Sequence, residues 1–94
     1  MTLNELRGFR ASITEIARRR GIGDVRVFGS VARGEAGPES DVDFLVKVER
    51  GRSILAVGGF IDEVSELLGT RHVITAHSLH TLDSQRALIE AVPL

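Results

Sequence analysis

Cysteine is absent from this sequence of 94 residues, which excludes a disulfide framework and a thiolate metal site. The start of the chain lacks the long apolar segment of a signal peptide or membrane anchor, and no linker, internal repeat or low-complexity tract interrupts the rest. We therefore expect a cytoplasmic protein that forms one domain over residues 1–94 and does not associate with membranes.

A strong excess of either charge is also missing. The formal net charge is -1, and 43% of the residues are hydrophobic while 27% are charged. This composition is typical of a globular protein and argues against disordered, membrane and nucleic-acid-coating proteins, so no direct nucleic-acid partner is expected. A chain of 94 residues supports one core but no separate substrate-binding domain, so a large substrate must be held mostly by another molecule. The oligomeric state is left open.

Hydrophobic periodicity and turn residues predict seven elements. In chain order they are a helix over 2–21 that begins at a capping box, a strand over 25–28, a short helical turn from 29, a strand over 42–48, a helix over 53–69, a strand over 71–75 and a helix from 78 through 92. The alternation predicts an α/β (α+β) fold with a small mixed sheet of about three strands flanked by helices. Gly58 and Gly59, inside the fifth element, predict a close packing contact or a bend.

A Gly-Ser pair stands where the first predicted strand ends and a helical turn begins. Gly29 allows a close approach of the backbone, the first N–H groups of the turn point at an anion, and the Ser30 hydroxyl adds a donor. Arg33, one turn further on, is predicted to reach the same phosphate oxygens. The same residues also fit Ser30 as a plain N-cap.

Two aspartates open the second predicted strand. Asp41 and Asp43 are two residues apart, so their side chains project to one face, roughly 7 Å apart or less. Parallel carboxylates repel each other unless a cation lies between them, and Mg²⁺ binds one or two carboxylates while it keeps positions for water and substrate phosphate. The alternative is that both residues face solvent and Asp41 serves the preceding turn.

The two features together predict a site for a triphosphate and its metal at one edge of the sheet, which suits phosphoryl or nucleotidyl transfer. The motifs Gly29-Ser30-x-Ala32-Arg33-Gly34 and Ser40-Asp41-x-Asp43-Phe44-Leu45-Val46 resemble the signature of the DNA polymerase β-like nucleotidyltransferases, specifically the minimal nucleotidyltransferases. The order of the predicted elements is similar to the core of that family over nearly the whole chain.

This resemblance implies Mg²⁺-dependent transfer of AMP from ATP (AMPylation). It implies that Gly29 and Ser30 hold the triphosphate and that Asp41 and Asp43 bind Mg²⁺. Minimal members are similar to antitoxins encoded beside a HEPN-type ribonuclease toxin, and some of them silence the toxin by adenylylating a tyrosine. The expected partner is therefore a HEPN-type toxin that is itself the acceptor.

Members of this family usually carry a third acidic residue on the strand after the long helix. In this sequence His72 stands at the corresponding position, which is a departure from the family pattern. Imidazole is a poor ligand for Mg²⁺, but a histidine can act as a general base for an acceptor hydroxyl, so His72 is a candidate catalytic residue. Two hypotheses follow: an adenylyltransferase that modifies its partner, and a catalytically impaired nucleotide-binding module that neutralises its partner by complex formation. Surface positions near the start of the last helix are predicted for His77 and His80.

Overall fold

The computed structural model describes residues 1–35, 41–49, 51, 55–69, 73–78 and 90–94. Its elements in chain order are α1 (Leu3–Arg7), α2 (Arg10–Arg19), β1 (Ile22–Phe28), α3 (Gly29–Arg33), β2 (Val42–Val48), α4 (Leu55–Leu68), β3 (Ile74–Ser78) and β4 (Val92–Pro93). Within this part of the chain, the strands form one mixed sheet in the order β3-β2-β1-β4. None of the described helices is long and apolar enough to cross a membrane.

The sheet combines antiparallel and parallel pairs. β1 runs antiparallel to β2 and to β4, while β2 and β3 run parallel. The described helices α2 and α4 contact each other and pack on one face, α2 against β1 and α4 against β3 and β2. The rings of Phe44 on β2 and Phe60 on α4 meet edge to face at 5.5 Å, so the Phe44 face of β2 is the core face. Alternation along β2 therefore turns Asp43 to the opposite face.

The predicted mixed sheet is confirmed, as is the strand over 42–48, which has the bounds of β2. The capping box at the first helix is also confirmed, since the Thr2 side chain accepts from the Glu5 backbone and the Glu5 side chain accepts from the Thr2 backbone. The first strand is longer than predicted, because β1 includes three residues before Val25.

Three predicted elements need correction. The N-terminal helix is interrupted at Gly8 and Phe9, which separate α1 from α2. The described part of the third strand begins at Ile74 and ends at Ser78, which was predicted to start a helix, while residues 71 and 72 of the predicted strand lie outside the described residues. Val92 lies in β4, not in a helix, because its backbone pairs with Val27 and adds a fourth strand to the sheet. Residues 79–89 of the predicted last helix lie outside the described residues, while Glu90 is helical and Ala91 belongs to no element.

Candidate functional site

The turn after β1 lies directly against Asp43. Gly29 has a φ of +76°, a conformation that residues with a side chain rarely adopt. A Cβ atom on Gly29 would run into Oδ2 of Asp43 and would lie 3.3 Å from its Cγ. Glycine is therefore required here twice over, by the backbone conformation and by the neighbouring carboxylate. The Gly-Ser turn and the aspartate strand, which the sequence predicts at one site, are in contact.

The Asp43 carboxylate is held from the opposite side by Thr75. In the sheet, Asp43 pairs with Phe28 on β1 and with Thr75 on β3. The Thr75 hydroxyl donates a hydrogen bond of 2.6 Å to Oδ1 of Asp43. The two carboxylate oxygens thus have different surroundings: Oδ1 accepts from Thr75, and Oδ2 lies beside Gly29.

Asp41 is exposed and directly precedes β2. Its separation of two residues from Asp43 puts both side chains on the face away from α2 and α4. The parallel register of β2 and β3, continued by two residues from Asp43 and Thr75, sets Val73 opposite Asp41. The hydrogen bond of 2.9 Å from the Val42 N–H to the Val73 carbonyl supports this continuation.

Ser30 is not the N-cap of α3. The N-cap residue is Phe28, which makes no side-chain capping bond, and Ser30 is the second residue of the helix. Within the described part of the chain, the Ser30 hydroxyl has no hydrogen-bond partner, and the residue is half-buried. The hydroxyl is therefore available to a ligand, as are the N–H groups of the first turn, which lack partners inside a helix.

Arg33 engages two carboxylates. Its Nε donates to Glu35 at 3.0 Å and its Nη1 donates to Glu90 at 3.1 Å. The hydrogen bond with Glu35, together with the charges of Glu35 and Glu90, raises the pKa of the Arg33 guanidinium. The guanidinium is thus held by two carboxylates, and its predicted contact with phosphate oxygens stays a prediction.

The described residues of the third strand bring no carboxylate to the aspartate face. Val73, Thr75 and His77 alternate onto this face, and Val73 is 60% exposed. His77 lies on β3 and is exposed, so its predicted surface position is confirmed. His72 and His80 lie outside the described residues, so the role of His72 stays a prediction.

An aromatic pair borders the site on the same face. Phe28 on β1 and His77 on β3 come from the two strands that flank β2. Their ring centroids lie 5.8 Å apart, and the ring planes are tilted by 57°. Leu45, which pairs with His77 in the sheet, is buried although it shares the face of Asp43. The face that carries the aspartates is therefore polar around Asp41 and Asp43 and becomes apolar at Leu45, the next residue of β2 on that face.

The donor set fits a hard cation. No group of three or more histidine, aspartate and glutamate side chains that could hold a metal ion occurs in the part of the chain that the structure describes. Asp41 and Asp43 supply two oxygen donors, which Mg²⁺ accepts when water and substrate phosphate fill its other positions. These residues therefore fit a metal that arrives with a nucleotide better than a closed protein-only metal site.

A groove of about 430 Å³ lies elsewhere, between α2, the start of β1 and the C-terminal strand. Arg10, Ile22, Asp24 and Leu94 are among the residues that line it. Ile22 begins β1, whereas Gly29 follows its last residue, so this groove is at the other end of the strand. Pocket shape alone would have pointed away from the aspartates.

Thr75 is the site residue that the sequence reasoning did not identify. It appears in the sequence as the end of a predicted strand, and its contact with Asp43 depends on the register between β2 and β3. A hydroxyl residue on the strand next to a predicted carboxylate pair is a signal that could have singled it out. The sequence cannot give the register, because a slip of one residue would turn Thr75 to the other face.

The sequence matches a known family model and curated relatives. The family model of the nucleotidyltransferase domain matches residues 10–93. A relative from Methanocaldococcus jannaschii, provisionally named as a protein adenylyltransferase, is 37% identical over 93 residues, which cover 98% of this chain and 97% of the relative. The protein adenylyltransferase MntA from Thermococcus cleftensis is 39% identical over 72 residues, which cover 76% of this chain and 73% of MntA.

Solved structures give the same result at the level of the fold. A structure described provisionally as a minimal nucleotidyltransferase has a TM-score of 0.83 and 40% identity, covering 100% of this chain and 97% of that one. A toxin–antitoxin structure with AMP-PNP has a TM-score of 0.72 at 16% identity, covering 88% of this chain and 69% of that one, and shows likeness of fold alone. By family model, curated relatives and fold, this chain belongs to the nucleotidyltransferase domain family and is similar to its minimal members.

Proposed function

We propose that this chain is a single minimal nucleotidyltransferase domain over residues 1–94 that transfers AMP from Mg²⁺-bound ATP to a hydroxyl of a partner protein. The observation that carries the proposal is the contact between Gly29 and Asp43, because it joins the turn proposed to bind phosphate to a carboxylate proposed to bind the metal. The names of the two curated relatives, both protein adenylyltransferases, support the choice of AMP and of a protein acceptor.

In this proposal each residue has a distinct task. Gly29 and Ser30 bind the triphosphate through the backbone N–H groups of the turn and through the Ser30 hydroxyl, which has no described partner. Asp41 and Asp43 hold the Mg²⁺, which when bound neutralises the charge that develops on the phosphates. Arg33 stands near the end of the same helix, where Glu35 and Glu90 restrain it, and would approach the phosphates by leaving one of them.

The acceptor is proposed to be a HEPN-type toxin encoded beside this chain, which makes this protein the antitoxin of the pair. The proposal rests on the resemblance to minimal nucleotidyltransferases and on the similarity in fold to a toxin–antitoxin structure.

A co-expression experiment tests this function. The chain is produced together with the product of its neighbouring gene, and the intact mass of both proteins is measured. We expect the partner to gain whole adenylyl units with the wild-type chain and none with the Asp41→Asn and Asp43→Asn double variant. A partner that keeps its unmodified mass beside the wild-type chain contradicts the proposed activity.

A second candidate function is a nucleotide-binding module that neutralises its partner by binding alone. It is favoured by the absence of a carboxylate among the described residues of β3 on the aspartate face, and by His72 at the aligned position of the third acidic residue. This function predicts that the double variant still forms the complex and still neutralises the partner. Retained binding with loss of neutralisation would exclude it.

A further inference from the structure

We propose that Thr75 is a positioning residue of the nucleotide site, which fixes the Asp43 carboxylate in the orientation that serves the metal. The inference rests on the proposed function. In this inference β3 contributes a hydroxyl to the site rather than a carboxylate or a histidine. The Thr75 hydroxyl acts on the metal through Asp43 and does not touch the nucleotide.

The geometry separates the two oxygens of Asp43. The hydrogen bond of 2.6 Å from Thr75 occupies Oδ1. On the β1 side, Oδ2 lies beside Gly29, where no side chain competes for the space. A carboxylate held in this way presents Oδ2 as a single ligand oxygen next to the Gly-Ser turn, where the phosphates are proposed to bind.

The chemistry of threonine suits this task. Its branching at Cβ restricts χ1, so the strand backbone largely sets the direction of the hydroxyl. A hydroxyl hydrogen bond to an ionised carboxylate is short and strong compared with bonds between neutral groups. Groups that hydrogen-bond to metal-ligating carboxylates orient the ligand, and their loss typically weakens metal binding about 10- to 100-fold.

The position of Asp43 in the sheet makes such a restraint useful. β2 lies between β1 and β3, so Asp43 has a neighbour on each side, and Thr75 is the one that donates a hydrogen bond to it. Asp41, by contrast, lies before the strand and is exposed, and its neighbour by register is Val73, whose side chain has no polar group. The structure thus makes Asp43 the preorganised carboxylate of the pair and leaves Asp41 to adjust when the metal binds.

Metal affinity provides a test that is independent of turnover. Mn²⁺ binding is measured by electron paramagnetic resonance with α,β-methylene-ATP present, for the wild-type chain and for Thr75→Val, Thr75→Ser and Asp43→Asn. Valine keeps the shape of threonine without the hydroxyl, so we expect Mn²⁺ to bind about 10-fold more weakly to T75V. Serine keeps the hydroxyl, so T75S should stay within about threefold of the wild type. Circular dichroism checks the fold, and Thr75→Ala replaces T75V if valine prevents folding.

The outcomes separate this inference from the proposed function. If T75V binds Mn²⁺ as tightly as the wild type while D43N loses it, the positioning role is wrong and the metal site stands. If D43N also binds as tightly as the wild type, the metal site itself is refuted. If T75S is as weak as T75V, the methyl group rather than the hydroxyl matters, and the inference fails. An adenylyl group located on Thr75 by peptide mass spectrometry would make it an acceptor and would also overturn the inference.

Discussion

Replacement of Gly29 by alanine tests the contact on which the site depends. The substitution forces a side chain into a backbone conformation with φ of +76° and drives its Cβ into Oδ2 of Asp43. The Asp43 carboxylate has to move, and the hydrogen bond that it accepts from Thr75 is broken or lengthened. We therefore expect G29A to lower both the free energy of unfolding and the affinity for nucleotide.

The size of the effect can be estimated from its two parts. Placing a residue with a Cβ in the left-handed region costs about 1–2 kcal/mol. A hydrogen bond to a charged group contributes about 1.5–3 kcal/mol, and the lower end applies here because the bond is only partly buried. The expected loss for G29A is therefore about 3 kcal/mol, roughly half of it from the displaced carboxylate.

Gly34→Ala is the matched control. Gly34 has a φ of +74°, nearly that of Gly29, but no atom lies within 4 Å of the position that its Cβ would occupy. G34A should therefore cost about 1–2 kcal/mol from the backbone alone and leave nucleotide binding unchanged. Urea unfolding gives the two free energies, and titration with Mg²⁺ and ATP gives the affinities. Equal stability losses and equal affinities in the two variants would refute the contact between Gly29 and Asp43.

Three further predictions concern other parts of the molecule. Gly58→Ala should raise the free energy of unfolding, measured in urea, by about 1 kcal/mol, because alanine favours the helix and its Cβ meets open space. Gly59→Ala should raise it by less, because its Cβ would displace the Arg20 guanidinium. Equal increases for the two variants would contradict this packing. The hydrogen bond from Arg20 holds the pKa of Glu63 below its ordinary value of 4.5. The stability that this pair contributes is therefore present above pH 4.5 and is lost as the pH falls through the lower pKa of Glu63 in the folded state. When the free energy of unfolding is measured from about pH 7 to 3, it should fall more steeply for the wild type than for Glu63→Gln. Val73→Asp should raise Mn²⁺ affinity and lower the stability of the metal-free chain, because it adds a third carboxylate opposite Asp41, and an unchanged affinity would show that the register does not continue to this residue.

Much of the candidate site follows from local sequence. Alternation from Val42 to Val48, broken only at Leu45, predicts β2 with its observed bounds and turns Asp43 away from the core. Gly29 before Ser30 predicts a tight turn at the end of β1, and the positive φ at Gly29 is the conformation that such a turn requires. These features depend on a few neighbouring residues, so the sequence is sufficient to predict them.

Features that depend on pairing between distant segments were not predictable in the same way. The contact between Thr75 and Asp43 joins residues 32 positions apart through a parallel register, and no local pattern specifies that register. The strand β4 has two residues, one of them Pro93, which is too short for periodicity to reveal. The break between α1 and α2 at Gly8 was hidden because apolar residues on either side keep a nearly helical spacing.

The packing of Gly59 was predictable in part. Two glycines inside α4 predict either a bend or a close contact, and the structure shows a contact, since the Arg20 guanidinium lies where a Cβ of Gly59 would be. The Arg20 Nε donates to Glu63 at 2.8 Å and so joins α2 to α4. Two adjacent glycines within a predicted helix indicate such a contact. The residue that fills the space, Arg20, depends on how α2 and α4 cross, which the sequence does not specify.

Mg²⁺-dependent binding of ATP is the measurement that tests the central claim most directly. ATP is titrated into the wild-type chain and into the Asp41→Asn and Asp43→Asn double variant, each with Mg²⁺ and with EDTA. If the Gly-Ser turn and the two aspartates form one nucleotide site, the wild type binds ATP with Mg²⁺, EDTA weakens this binding, and the double variant binds weakly under both conditions. Binding that is equally tight in both proteins, with or without the metal, would contradict the account.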